Sequence, residues 1–382
     1  MLVNEVKDHL EHKIIPFWQG LRDVEFGGYY GYVNYDLELH KQAEKGSILT
    51  SRILWFFANA YLTLLDEELL THARHAYDFI VERCVDHENG GVFWSVNHDG
   101  TAADSMKHTY CIAFCVYALS SYYDASGDIN ARDTALSLFD TIESRCKDVG
   151  GYLEAFNRIF VPVENEKLSE NSVVAHRTMN TLLHVFEAYC ELYRVTKEAK
   201  VLDRIVEILD IFSNKVYNAD KHRLEVFFNE KMESIADLHS YGHDIEAAWL
   251  VDRGCEIIGD ATLTAKMKAI TSDITKQVYE VAFDGRSLAN ESENGHVDHT
   301  RVWWVQAEAM VGFCNAGYND AVLSIWEYVK AFMIDKRDGA EWFWDVSHEG
   351  VPVSKKPIVE PWKCPYHNGR MCLELIRRGF HA

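Results

Sequence analysis

Gly27-Gly28-Tyr29-Tyr30-Gly31-Tyr32-Val33 returns as Gly90-Gly91-Val92-Phe93-Trp94-Ser95-Val96 and again as Gly150-Gly151-Tyr152-Leu153-Glu154-Ala155-Phe156. Each copy is a glycine turn running into aromatic and aliphatic residues, the pattern of a short hairpin. The second glycines stand 63 residues apart (28 to 91) and then 60 (91 to 151). Weaker copies follow: Arg223-Leu224-Glu225-Val226-Phe227-Phe228, which lacks the glycines, then Asp284-Gly285-Arg286-Ser287-Leu288 and Asp338-Gly339-Ala340-Glu341-Trp342-Phe343-Trp344. Six such units fill the 382 residues at about 64 residues each (382/6), and a fixed period of this kind marks a repeat architecture.

Between the copies, apolar residues recur at helical spacing. They predict twelve helices near 2–20, 48–64, 67–84, 107–126, 130–145, 175–195, 198–217, 241–258, 261–281, 301–316, 319–334 and 366–378. Helices 67–84 and 198–217 carry charge on one face, as an outer layer does. Helices 48–64 and 107–126 are apolar nearly all round, as an inner layer is. Twelve helices alternating outer and inner predict an all-α fold, an (α/α)6 barrel with short β-hairpins at its mouth. Only 6 prolines and no Gly/Ser-rich linker interrupt the chain, so one domain over 1–382 is expected.

A hydrophobic fraction of 48% is ample for a large core. The net charge of −21 repels nucleic acid and anionic membrane surfaces. No apolar run reaches the roughly 18 residues of a membrane span. The charged start Met1-Leu2-Val3-Asn4-Glu5-Val6-Lys7-Asp8 does not read as a secretory signal. Nine scattered cysteines without a Cys-x-x-Cys pair read as reduced thiols. A cytoplasmic monomer acting on a small molecule is the expectation.

The chemistry lies in polar interruptions of the inner helices. Arg52, His108 and Tyr110, Asn180 and His184, His243 and Glu246, Trp304 and Glu308, and His367 and Arg370 all fall in the first turns of those helices. If the hairpins precede inner helices, these groups converge on one mouth, where helix N-termini also favour an anion. Each has a plainer reading. His243 and Glu246, one helical turn apart, suit a core hydrogen-bonded pair as well as a site. Arg52 suits a buried ion pair. Trp303, Trp304 and Trp362 suit core as well as sugar stacking. His239 and His243 have the spacing of two metal ligands, although Gly242 makes a shared helix face doubtful, and no metal is expected. Cys364 near His367 raises a Cys–His nucleophile, without a third, orienting group. His12, His40, His72, His75, His87, His98, His222, His348 and His381 lie in segments that read as solvent-facing.

Two histidines in one cavity serve as base and acid near neutrality. With no phosphate loop, nucleotide motif or Ser-His-Asp arrangement, a cofactor-free epimerisation or isomerisation next to a carbonyl fits. One histidine removes a C2 proton, Arg52 and the helix ends hold the enediolate, and the other histidine returns a proton. Hydrolysis of a glycoside by Glu246 and Glu308, or a non-catalytic binding module, is the competing reading.

Beyond the Gly27–Gly31 turn, the segments Ser51-Arg52-Ile53-Leu54-Trp55-Phe56, Lys107-His108-Thr109-Tyr110, His239-Ser240-Tyr241-Gly242-His243-Asp244-Ile245-Glu246-Ala247, Arg301-Val302-Trp303-Trp304-Val305-Gln306-Ala307-Glu308 and Trp362-Lys363-Cys364-Pro365-Tyr366-His367-Asn368-Gly369-Arg370 resemble the cellobiose 2-epimerases of the N-acylglucosamine 2-epimerase superfamily. The resemblance runs from the first helix past His367. It implies the (α/α)6 barrel and a cofactor-independent isomerase that inverts C2 at the reducing end of a β-1,4-linked disaccharide, cellobiose or lactose. A mannobiose epimerase or an aldose–ketose isomerase of the same superfamily is the alternative. By this resemblance His243 and His367 are the acid/base pair, and Glu246 orients His243. Arg52 and His184 bind the O1/O2 region. Tyr110, Asn180 and Glu308 hold hydroxyls, and Trp303, Trp304 and Trp362 stack on the sugars. Trp362 ahead of Lys363-Cys364-Pro365-Tyr366-His367 matches the branch that acts on disaccharides.

Overall fold

Helices follow the chain in outer–inner alternation through a computed structural model that describes residues 2–165, 167 and 173–380. The outer helices are α1 (2–19), α3 (67–84), α5 (129–146), α7 (199–216), α9 (Ala261–Ala282) and α11 (319–333). The inner helices are α2 (Ser47–Leu64), α4 (Thr109–Ser126), α6 (Met179–Thr196), α8 (Tyr241–Ile258), α10 (Trp303–Ala316) and α12 (His367–Arg378). Neighbouring inner helices pack in sequence, and α12 returns to α2, so the inner ring closes. Each outer helix packs on the inner helix before it, except α1, which packs on α12 and seals the ring with the two chain ends. The fold is the (α/α)6 barrel.

Burial explains the two kinds of helix. From Ser47 to Ala60 every residue of α2 is buried, whereas α7 buries only one stripe through Val201, Ile205, Ile208 and Leu209. Five outer helices contain a wider π-helical turn, such as Ile80–Cys84 and Ile142–Cys146. All six inner helices end on a left-handed residue: Leu65, Gly127, Lys197, Gly259, Gly317 or Gly379.

The hairpins do more than turn the chain. After each outer helix the strands close across a matching pair: Arg22 with Tyr29, Val85 with Val92, Lys147 with Tyr152, Tyr217 with Leu224, Phe283 with Leu288 and Ile334 with Trp342. The residues just ahead of each inner helix then pair with the next repeat. Lys45–Gly46 lies on Ser95–Val96, Lys107–His108 on Ala155–Phe156, Arg177–Thr178 on Phe227–Phe228, Leu238–Ser240 on Glu291–Glu293, and Arg301–Val302 on Asp345–Val346. Val359 on Val33 closes the circle. This pairing is why α4, α6 and α10 begin two to four residues later than apolar periodicity predicts: the extended residues are apolar or buried but belong to the girdle.

A buried Lys or Arg sits two residues ahead of four inner helices and four ahead of α12. Lys45 meets Asp23 at 2.6 Å, Lys107 meets Asp86 at 2.9 Å, Arg177 pairs with Asp148, Arg301 meets Asp284 at 2.6 Å and Lys363 meets Glu341 at 2.5 Å. In the fourth repeat the place belongs to His239, 2.9 Å from Asp244. These six positions step by 62, 70, 62, 62 and 62 residues, a more regular signal than the glycines. His72, expected at the surface, is buried, with Nδ1 2.8 Å from the Tyr29 hydroxyl; its outer-helix face turns inward onto the first hairpin. His75 is half-buried over the same hairpin, with Nε2 2.8 Å from the Gly28 carbonyl. His381 lies outside the described residues.

Candidate active site

The six inner-helix N-termini surround a cavity of about 330 Å³. Arg52, Tyr110, Asn180, His184, His243, Glu246, Trp303, Trp304, Trp362 and His367 all line it. Glu308 does not. It is fully buried one layer down, where its carboxylate accepts from His367 Nδ1 at 2.7 Å, from Arg370 Nη2 at 2.6 Å and from Trp249 Nε1 at 3.0 Å. Glu308 is therefore placed to hold His367, not a sugar hydroxyl. His108 is also fully buried; its Nδ1 accepts the Tyr110 backbone N–H and caps α4.

His243 and His367 flank one indole. The Trp304 ring centroid is 4.7 Å from that of His243 and 5.5 Å from that of His367. Trp304 reaches this place because Gly242 has no side chain: a Cβ there would stand 2.5 Å from Trp304 Cη2. His243 Nδ1 lies 2.7 Å from Ser240 Oγ. A carboxylate accepts, so the Glu308 contact puts a proton on His367 Nδ1 and leaves Nε2 a lone pair. Burial pushes the His243 imidazole down to about 3, with His184 adding to the effect, and burial holds His367 well below its ordinary value. Burial thus disfavours the imidazolium form of both rings, which favours their acting as bases.

Beneath them Arg370 ties three carboxylates together. Its Nη1 donates to Glu187 at 2.6 Å, and its Nη2 donates to Glu308 at 2.6 Å and to Glu246. Glu246 therefore faces Arg370 and lies 4.0 Å from His367 Nδ1, and its expected bond to His243 is not made. The cause is Arg370, which takes the Glu246 carboxylate, while Ser240 meets His243 Nδ1. Burial and the neighbouring Glu308 raise the Glu246 carboxyl. Glu187 also accepts from His184 Nδ1 at 2.9 Å. Burial opposes its charge, yet Arg370 and His184 hold it down at about 2. Donor atoms of Glu246, Glu308 and His367 lie within 4.8 Å of one another. The Arg370 guanidinium already occupies the cationic place among them.

Arg52 is the unmatched charge. Its guanidinium is 4.2 Å from the Phe114 ring centroid and 4.6 Å from that of Tyr366, and its Nη2 donates to the Tyr110 hydroxyl at 2.7 Å. It forms no ion pair among the described residues, and its buried Nε has no partner. Asn180 Oδ1 and Trp303 Nε1 are also buried without partners. Unmatched buried polar atoms facing a cavity are costly unless a ligand completes them.

The carboxylate pair fits hydrolysis poorly. Acid and nucleophile must flank the scissile bond at about 5 Å or more, whereas Glu246 and Glu308 share one nitrogen of Arg370 and Glu308 is outside the cavity. His239 is bound to Asp244 and not aligned with His243 as a metal pair. The Cys364 thiol, raised by burial, lies 3.8 Å from Arg52 Nη1, and no contact joins it to His367. Sequence reasoning missed Ser240, Trp344, Phe227, Thr178, Lys167 and Glu291 on the cavity wall. Trp344 was legible, since it closes the sixth copy of the hairpin signature, and its ring lies 4.6 Å from Trp303.

The family model described as N-acylglucosamine 2-epimerase (GlcNAc 2-epimerase) matches residues 5–368. A cellobiose 2-epimerase of Ruminococcus albus is 49% identical over 386 aligned positions, covering 99% of each chain. The crystal structure of a sugar epimerase from a ruminal bacterium superposes with a TM-score of 0.98 at 49% identity over 100% of both chains. The cellobiose 2-epimerase structure from Bacillus thermoamylovorans B4167 gives 0.95 at 47% identity over 99% of both.

Proposed function

The chain belongs to the N-acylglucosamine 2-epimerase family and is a carbohydrate epimerase, an isomerase; from that premise we propose that it inverts C2 at the reducing end of cellobiose, giving glucosyl-mannose, and of lactose, giving epilactose. The observation that carries this reading is the histidine pair around Trp304, each Nδ1 engaged and each Nε2 without a partner among the described residues.

In the open-chain aldose, Nε2 of one histidine takes the proton from C2. The C–H electron pair moves into the C1–C2 bond and charge develops on O1. Arg52, a buried cation without a carboxylate, meets that charge, with His184 beside it. The other histidine, having taken up a proton from water on Nε2, delivers it to the opposite face of C2 as the electron pair returns from O1, and the first histidine gives its abstracted proton to water, which completes the inversion without a cofactor. Glu308 holds His367 in the tautomer that exposes Nε2. Tyr110 and Asn180, on the cavity wall, hold hydroxyls in this reading. Trp303, Trp304 and Trp362 offer ring faces, which stack on sugar C–H surfaces for about 1 kcal/mol each. In this reading the half-buried Trp304 and Trp362 take the second sugar.

Incubation with cellobiose and with lactose in D2O, followed by NMR, tests the proposal. Epimers carrying deuterium at C2 are expected. An unlabelled C2, or release of free glucose in place of an epimer, overturns it.

A further inference from the structure

Ser240 occupies the N-cap position of α8, yet its side chain makes no capping hydrogen bond. Serine at this position ordinarily accepts from the N2 or N3 backbone N–H and stabilises the helix by about 1 kcal/mol. The equivalent residues of two other repeats do cap: His108 accepts from Tyr110 N and Thr178 from Thr181 N. The Ser240 hydroxyl lies instead 2.7 Å from His243 Nδ1. Ser240 is 5% exposed and lines the cavity. Of the two histidines, His367 is thus held by a buried carboxylate and His243 by a neutral hydroxyl.

We propose that Ser240 is a positioning residue for the epimerisation proposed above: by occupying Nδ1 of His243 it fixes the ring so that the proton exchanged with C2 passes through Nε2. The inference rests on that reading of the histidine pair. Gly242 supports it independently. With Trp304 seated where a Cβ would be, the indole bounds one side of the ring while Ser240 anchors its edge. A hydroxyl accepts from Nδ1–H and donates to a bare Nδ1 alike, so it holds the ring in place in either protonation state. It suits a ring that changes protonation each turnover without storing charge.

Two measurements test this. Imidazole 15N NMR, with the His243 signals identified by their loss in His243→Gln, reads the contact whether or not cellobiose is turned over. The expected result is an Nδ1 signal shifted by hydrogen bonding in the native chain and the loss of that shift in Ser240→Ala. Kinetics on cellobiose read the role. Ser240→Ala should lower kcat by roughly 10- to 100-fold, the scale of a misplaced reacting group, with KM changed less than about twofold, and Ser240→Thr should restore most of kcat. Unchanged 15N shifts in Ser240→Ala, a loss confined to KM, or a Thr variant as slow as the Ala variant each overturn the proposal. A native chain whose His243 Nδ1 is hydrogen-bonded but that leaves C2 of cellobiose untouched would overturn both the functional reading and the role, while the Ser240–His243 contact stood.

Discussion

The two ends of the inner barrel carry buried charge in opposite ways. At the C-terminal ends, Glu191 accepts from Arg194 at 2.8 Å and Ser121 at 3.1 Å, and Arg253 donates to Glu374 at 3.0 Å. Arg378 donates to Asn315 at 2.9 Å, and Arg377 donates to Asn59 at 2.9 Å. This net spans α2, α4, α6, α8, α10 and α12, and no described polar atom in it is buried without a partner. At the N-terminal ends, Arg52 Nε, Asn180 Oδ1 and Trp303 Nε1 are buried and unmatched. Both ends are polar; only one is finished. A closed network fixes a fold, whereas an open one has donors and acceptors left for a ligand.

The comparison predicts that mouth and base respond differently to substitution. The largest effect belongs to the mouth. His243→Ala and His367→Ala should each reduce kcat on the proposed substrate by about 10³-fold or more, and the double variant by little further, because the two act as a unit. Thermal unfolding should stay within a few degrees of the parent. A His367→Ala enzyme with near-normal turnover would break the contrast. An intermediate effect belongs to the base. Arg253→Met takes one cation from Glu374 and Glu191, which keep Arg378 and Arg194, and with Arg253 about a quarter exposed the cost is about 1–2 kcal/mol, below that of a fully buried pair left single. Urea unfolding should report that loss while kcat is nearly unchanged; a kcat that falls with it would mean the base also tunes the mouth. The smallest effect is a gain. Lys197 closes α6 in the left-handed region at φ 57°, where glycine carries no Cβ penalty. Lys197→Gly should raise stability by about 0.5–1 kcal/mol without altering kinetics.

Much of this contrast was legible along the chain, but unevenly. Arg52 among Ile48, Leu49, Ile53, Leu54, Trp55 and Phe56 announced itself, because a cation inside an apolar helix needs a reason. The cavity-lining histidines were found by their shared depth on inner helices. Glu246 and Glu308 were found as residues but given the wrong neighbours. Spacing along one helix places Glu246 on the His243 face, yet Arg370, 124 residues away, takes its carboxylate. The base network and the Lys45-to-Lys363 series were overlooked, since apolar periodicity passes over cations even when they recur at a nearly constant step.

The sequence by itself determined the six-fold repeat, the alternation of outer and inner helices, and the set of polar side chains at one end. These are local properties: turn chemistry, helical periodicity and the cost of polar groups on an apolar face. Only the tertiary structure decided which partner each polar group meets. Ring closure brings α12 against α2 and α10, and so sets His367 on Glu308 and Arg370 among three carboxylates. Hydrogen bonds are short and directional, so helix packing, and not sequence spacing, assigns them.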